Sequence, residues 1–139
     1  MERAEKIVSK MINGDAFSQW LGINIIKVSE GFCKLEMRVR EEMTNGFNIT
    51  HGGISYSLAD SALAFAANSD GIQSLSVETS IAHTKKVMIG DTLIAKTQEI
   101  SKNEKNAVYN INITNQDNIE IAHFKGKVYR TKKEWFPKN

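Results

Sequence analysis

"SLADSALAFAANS", residues 57–69, reads as a helix that is apolar on nearly every side, and between Gly53 and Ser69 the chain carries one charged residue, Asp60. A helix of such uniform apolarity has to be covered almost all round. The flanking sequence alternates in polarity, so the covering material is sheet. Upstream, "GINIIKV" (22–28) and "FCKLEMRV" (32–39) flank a Ser29-Glu30-Gly31 turn, and Cys33, Leu35, Met37 and Val39 alternate with Lys34, Glu36, Arg38 and Arg40, the pattern of a half-buried hairpin. Downstream of Asp70-Gly71, further strands are expected over 72–84, 92–100, 107–114 and 119–131, punctuated by Gly90-Asp91, "SKNEKN" and "NQDN",. Ala107, Tyr109, Ile111 and Ile113 share one face of the third of these runs.

At the N-terminus, Ala4, Ile7, Val8, Met11 and Ile12 recur at helical spacing, so residues 2–13 form an amphipathic helix lying on something larger,. Asp15 caps a further short turn through Trp20,. The expectation is one α+β domain over 1–139: a curved antiparallel sheet of five or six strands wrapped around one long helix, with the N-terminal helix within 1–14 and a tail over 132–139 that holds Pro137,.

Composition narrows the function. With 18 basic and 16 acidic residues the net charge is +2, which favours neither a nucleic-acid partner nor an acidic solvating role. Cys33 is the only cysteine, so an intramolecular disulfide and a thiolate zinc site are both excluded. The charged N-terminus does not read as a secretory signal, and no apolar run approaches the roughly 20 residues that span a bilayer. A cytoplasmic protein with no membrane partner is expected. No spacing of His, Cys, Asp and Glu assembles three or four metal ligands, so no metal is expected either.

Asp60 is therefore the anomaly. An ionised carboxylate in a low-dielectric setting costs several kcal/mol unless it is paired, hydrogen-bonded or neutralised. One reading is structural, with Asp60 bonding Ser57, Ser61 or Thr50. The other is a general base or nucleophile with a perturbed pKa. The segment before the helix, "TNGFNITHGGIS" (44–55), bears on the choice. Gly52 and Gly53 put bare backbone amides at the positive end of the helix dipole, where a carbonyl oxygen is stabilised as it gains charge. Amide donors and a carboxylate together suit acyl transfer. Yet Gly52 and Asp60 lie roughly 10 to 12 Å apart along the axis at about 1.5 Å per residue, too far to serve one carbonyl. A two-fold dimer with its central helices side by side would let Gly52 of one subunit face Asp60 of the other.

The segment "NGFNITHGGISYSLADSALAFAANSDG", with "GDTL" and "VYNINITNQDNIEIAHFKGKVYR" further on, resembles the hotdog-fold acyl-CoA thioesterases, and among them the phenylacetic acid degradation type. The resemblance spans about residues 15–131. It implies dimers whose sheets join, commonly paired into homotetramers, and an acyl-CoA substrate of small or medium size, aromatic groups included. It implies Asp60 as nucleophile or base, the Gly52 amide as the group polarising the thioester oxygen, Asn45 as an orienting residue and His51 as support for the loop. No cofactor is implied beyond the CoA carried by the substrate. Gly53, Phe47, Asn48, Ser61, Ala64, His83, Lys85 and Lys86 are the corresponding candidates for substrate contact. Phe47 stands where His is common in that family, Thr50 where Cys or a small residue is common, and "IAHTKK" (81–86) replaces an aromatic-x-Arg-Pro signature, with His83 at the aromatic and Lys86 at the proline.

Each candidate also has a bland reading. His51 could simply bond loop carbonyls, Asn45-Gly46 could be a tight turn, and His83 and His123 could be ordinary strand residues. Lys85 and Lys86, like Lys125, Lys127, Arg130, Lys132 and Lys133, could be solvated strand ends, or the first pair could meet the phosphates of CoA. Two other functions fit the same chain: an acyl-thioester hydratase or dehydratase of the same fold, and a non-catalytic acyl-CoA binding module.

Overall fold

A computed structural model describes residues 2–137. Helix α1 (Arg3–Asn13) and the short α2 (Ala16–Leu21) lead into a hairpin of β1 (Asn24–Ser29) and β2 (Phe32–Arg38). The central helix α3 (Gly52–Asn68) follows, then β3 (Ile72–His83), β4 (Thr92–Lys102), β5 (Asn106–Thr114) and β6 (Glu120–Glu134). The six strands form one antiparallel sheet in the order β1-β2-β4-β5-β6-β3. Because β2 and β3 lie far apart in that order, α3 must traverse the concave face to connect them. It touches β2 through β6 on the way. This is the wrapped-helix architecture that the apolar stretch demanded.

The core lies between α3 and the inner face of the sheet. Cys33, Leu35 and Met37 of β2, Leu93 and Ala95 of β4, and Tyr109, Ile111 and Ile113 of β5 close on Leu58, Ala62, Leu63, Phe65 and Ala66, all essentially without exposure. The approach is closest at β6, where a Cβ on Gly126 would stand 2.5 Å from Leu63 Cδ2. Only glycine lets the strand come that near. Burial pushes the Cys33 thiol up to about 12, leaving it un-ionised at neutral pH and a core residue rather than a nucleophile.

Two expectations need correcting. The sheet does not cover α3 alone: α1 and α2 pack on it as well, with Ser18 Oγ 2.8 Å from Ser61 Oγ. Even so, a stripe through Gly53, Tyr56, Ser57, Asp60 and Ala64 stays partly open. Those positions recur at helical spacing, so they form one face along the helix. The second correction concerns the tail. Residues 132–134 belong to β6, because the edge strand β3 begins at Ile72 and needs a partner there, which Glu134 supplies. Trp135 continues the closure, its N–H donating to Gly71 O at 2.9 Å and its Nε1 to Asn68 Oδ1 at 2.8 Å. The remainder of the expected tail, 138–139, lies outside the described residues.

Candidate active site

Three segments meet at the N-terminal end of α3: the loop from Thr44 to His51, the first turn of the helix, and the end of β3 with residues 84–87. Backbone bonds knit them together. Thr50 N donates to Val87 O and His51 N to Met43 O, both at 2.8 Å, while Asn45 N donates to Ile49 O at 2.8 Å. Asn45 Oδ1 accepts from Phe47 N at 2.8 Å, an Asx turn, and Asn48 takes a positive φ of 61° that Asn tolerates better than most residues,. The tight-turn reading of Asn45 is thus correct as far as its carbonyl goes. Its side chain also lines the cleft formed here.

His51 is the N-cap of α3, its Nδ1 accepting from Gly53 N at 2.9 Å. Accepting at Nδ1 requires a neutral ring with the proton on Nε2. Gly53 is the counterpart of that bond, since a Cβ there would sit 3.0 Å from His51 Nδ1. The Gly52 N–H, by contrast, finds no acceptor among the described residues. Gly52 also adopts no positive φ, so backbone conformation does not require a glycine here. Space does: a Cβ on Gly52 would meet the His83 ring, 3.2 Å from Nε2 and 3.5 Å from Cε1.

The resulting cleft, about 410 Å³, is lined by Asn45, Thr50, Gly52, Ser55, His83, Lys85 and Lys86 among others. Thr50 Oγ1 is buried there without a hydrogen-bond partner, and the His83 ring is likewise unpaired among the described residues. The sequence offers Thr50 as a partner for Asp60 and as a departure from the resembled family's pattern, and gives no notice of Ser55. The signal lies in their positions two residues before and three after Gly52, but nothing in either residue type distinguishes a cleft wall from a core hydroxyl.

Asp60 lies outside this cleft, two turns along the open stripe of α3. It accepts no hydrogen bond among the described residues: Ser61 is spent on Ser18, and Ser18 on Asp15, whose carboxylate takes Ser18 N at 3.0 Å and Ser18 Oγ at 2.5 Å. The structural role for Asp60 therefore has no support in its contacts. Burial pushes its carboxyl above the ordinary value, and the Asp15 charge adds to the shift. Such a carboxylate is a better base than a solvated one. Of the remaining candidates, Ala64 borders the same stripe, Ser61 is buried against α2, and Phe47 and Asn48 project from the loop tip, Phe47 with 84% of its surface exposed. Among the described residues no group of three or more His, Cys, Asp and Glu could hold a metal ion.

The structure thus presents a concave sheet round one helix, with an amide at the helix start and an acid midway along it that have no hydrogen-bond partner among the described residues. The chain belongs to the thioesterase superfamily, whose family model matches residues 47–122. Over 136 residues, 98% of this chain and 88% of the relative, it is 37% identical to a putative esterase of Archaeoglobus fulgidus. It is 39% identical to the acyl-coenzyme A thioesterase PaaI of Escherichia coli over 86% of each chain. The solved structure of the E. coli PaaI protein from the phenylacetic acid degradation operon superposes with a TM-score of 0.93 at 36% identity, covering 95% of this chain and 96% of that one.

Proposed function

We propose that this protein is an acyl-CoA thioesterase whose site is shared between two subunits. The Gly52 amide of one protomer polarises the thioester oxygen, and Asp60 of its partner attacks the carbonyl carbon or activates the attacking water. The observation that carries this reading is the placement of the two groups: one helix holds an unspent N–H at its start and an unpaired carboxylate about 12 Å further along, so neither can complete a site alone. A second copy resolves the mismatch.

The open stripe on α3 supports helix-to-helix pairing. So does β3, an edge strand whose Leu75 and Val77 are 66% and 59% exposed, since a long apolar edge invites strand addition. Pairing β3 with its own copy would join the two sheets, and assembly of such dimers into a tetramer is expected from the resemblance. Lys85 and Lys86 stand at the mouth of the cleft, where they would meet the phosphates of CoA,. Hydrolysis by this route uses no cofactor. The acyl group is of small or medium size, with aromatic groups among the candidates because of the likeness to PaaI, and the work is set in the cytoplasm. Among the described residues no helix is long and apolar enough to cross a membrane.

Heterodimers test the shared site. Gly52→Pro removes the N–H at the first helical position, where proline fits, and His51 before it already has the extended backbone (φ −59°, ψ 134°) that a following proline requires,. Gly52→Pro and Asp60→Asn homodimers should both fail to release thiol from a panel of acyl-CoAs. A purified heterodimer of the two holds one intact and one doubly defective site and should recover about half of wild-type turnover. An inactive heterodimer would refute the sharing.

A further inference from the structure

The histidine at the end of β3 stands in an unusual relation to the helix it faces. Gly52 needs no glycine for its backbone angles, yet a Cβ there would lie 3.2 Å from His83 Nε2. The missing side chain therefore makes room for an imidazole against the first residue of α3. His83 is exposed, lines the cleft, and has no hydrogen-bond partner among the described residues. Its register fixes its direction: His83 pairs with Ala122 and Ile81 with Phe124, both buried inner-face residues, so alternation turns His83 towards the helix and not to the outer surface,. The Gly52 backbone and the His83 ring thus border the same cleft side by side, and neither the Gly52 N–H nor a ring nitrogen has a partner among the described residues.

We infer that His83 is a second hydrogen-bond donor to the thioester oxygen, completing with the Gly52 amide the pocket that holds the oxygen as it becomes negative. The inference rests on the shared-site reading above. In the reaction a water oxygen adds to the carbonyl carbon directly or through an Asp60 anhydride. In the direct route the C–S bond breaks after water has added. In the anhydride route it breaks as the Asp60 carboxylate bonds to the carbonyl carbon, and water then cleaves the anhydride C–O bond to release the acid and restore Asp60. One water proton ends on the departed sulfur in either case. His83 neither gains nor loses a proton overall: as the Nε2–H tautomer it donates a hydrogen bond that strengthens as charge gathers on oxygen, which is the condition for raising kcat rather than lowering KM. The neighbouring charges are Lys85 and Lys86 on the segment after β3, of the sign that favours an anion.

The test compares His83→Leu, which fills similar space without a donor, with His83→Gln, whose amide nitrogen reaches near the position of Nε2. On the best acyl-CoA of the panel, His83→Leu should lower kcat about 100-fold with KM within about twofold, and His83→Gln should restore most of the loss. Circular dichroism should be unchanged in both, as the side chain is exposed. A His83→Leu enzyme with wild-type kcat overturns the inference, as does an equal loss in both variants, which would mean that ring shape matters and donation does not. Asp60→Asn, assayed alongside, separates the two claims. If that variant is inactive while His83→Leu is unimpaired, only the role of His83 falls; if it turns over normally, the site reading itself falls.

Discussion

The two ends of helix α3 are finished in opposite ways. At the C-terminal end the side chains of Asn68, Ser69 and Asp70 all have work within the chain, and the Nε of Arg130 is the one buried polar side-chain atom there without a partner among the described residues. Asn68 donates to Ala64 O and Ser74 O and accepts from Ser74 N and Trp135 Nε1. Ser69 Oγ bonds Ser29 O and Ala66 O and accepts from Gly31 N. Asp70, its side chain 6% exposed, takes Arg130 Nη1 at 2.5 Å and Lys102 Nζ at 3.2 Å. At the N-terminal end the Gly52 N–H, Thr50 Oγ1 and the His83 ring all lack partners among the described residues. Saturated polar groups fix a structure, whereas unsaturated ones facing a cleft are a standing capacity to bind.

The two acids carry the same contrast. Burial tends to raise both. For Asp70 it is outweighed by the hydrogen bond and charge of Arg130, with Ile72 N and Lys102 adding, and the carboxyl ends below its ordinary value. For Asp60 nothing opposes burial, the Asp15 charge reinforces it, and the carboxyl ends above. One acid is held by partners within the chain and the other has none among the described residues, ten residues apart.

Substitutions sharpen the comparison. The largest effect is expected for Asp60→Asn, which keeps the volume and deletes the charge: kcat should fall at least about 1,000-fold with little change in KM. Its melting temperature should be no lower than wild type. A carboxyl whose folded pKa is raised adds stability only below its unfolded pKa and loses that contribution as pH rises through the folded value, so at neutral pH the wild type carries a burial penalty that Asn removes. A clear drop in melting temperature would break the contrast.

Asp70→Asn should do the reverse. Leaving Arg130 buried and uncompensated costs about 3 kcal/mol, a fall in melting temperature on the order of 10 °C, with kcat of the folded enzyme within about twofold. Here the folded pKa is lowered, so the stabilisation is present above the ordinary carboxylate value of 3.8 and disappears as pH falls through the folded value. Melting curves of wild type and variant should converge in acid, and a gap constant with pH would count against the ion pair as its source. The smallest effect is expected at the rim: Lys86→Glu should raise KM for the acyl-CoA about tenfold, equivalent to ~1.4 kcal/mol, and change kcat less. An unchanged KM would remove the lysine from phosphate recognition.

Arg130 illustrates what chain-local reading misses. Within "VYRTKK" (128–133) it looks like one more solvated cation, yet it is 12% exposed on the side chain and closes an ion pair with a residue 60 positions away. Nothing near Arg130 in sequence announces Asp70. The same holds for His83: alternation places it on a strand, but only the docking of β3 beside α3 brings its ring over Gly52. His51 shows the opposite case, because its bond to Gly53 N is local and a structural role in the loop is already one of its readings from the sequence.

The amino-acid order by itself determined the elements and their faces: an apolar helix without a polar side, strands alternating about it, a histidine between a turn and two glycines, and a single unaccounted acid. Those follow from periodicity and short-range chemistry, which act over a few residues. The fold in three dimensions decided which groups remain unspent, because satisfaction of a hydrogen bond or a charge depends on partners distant in sequence. That is how Asp70 is neutralised and Asp60 is not, and why one stripe of the helix stays open.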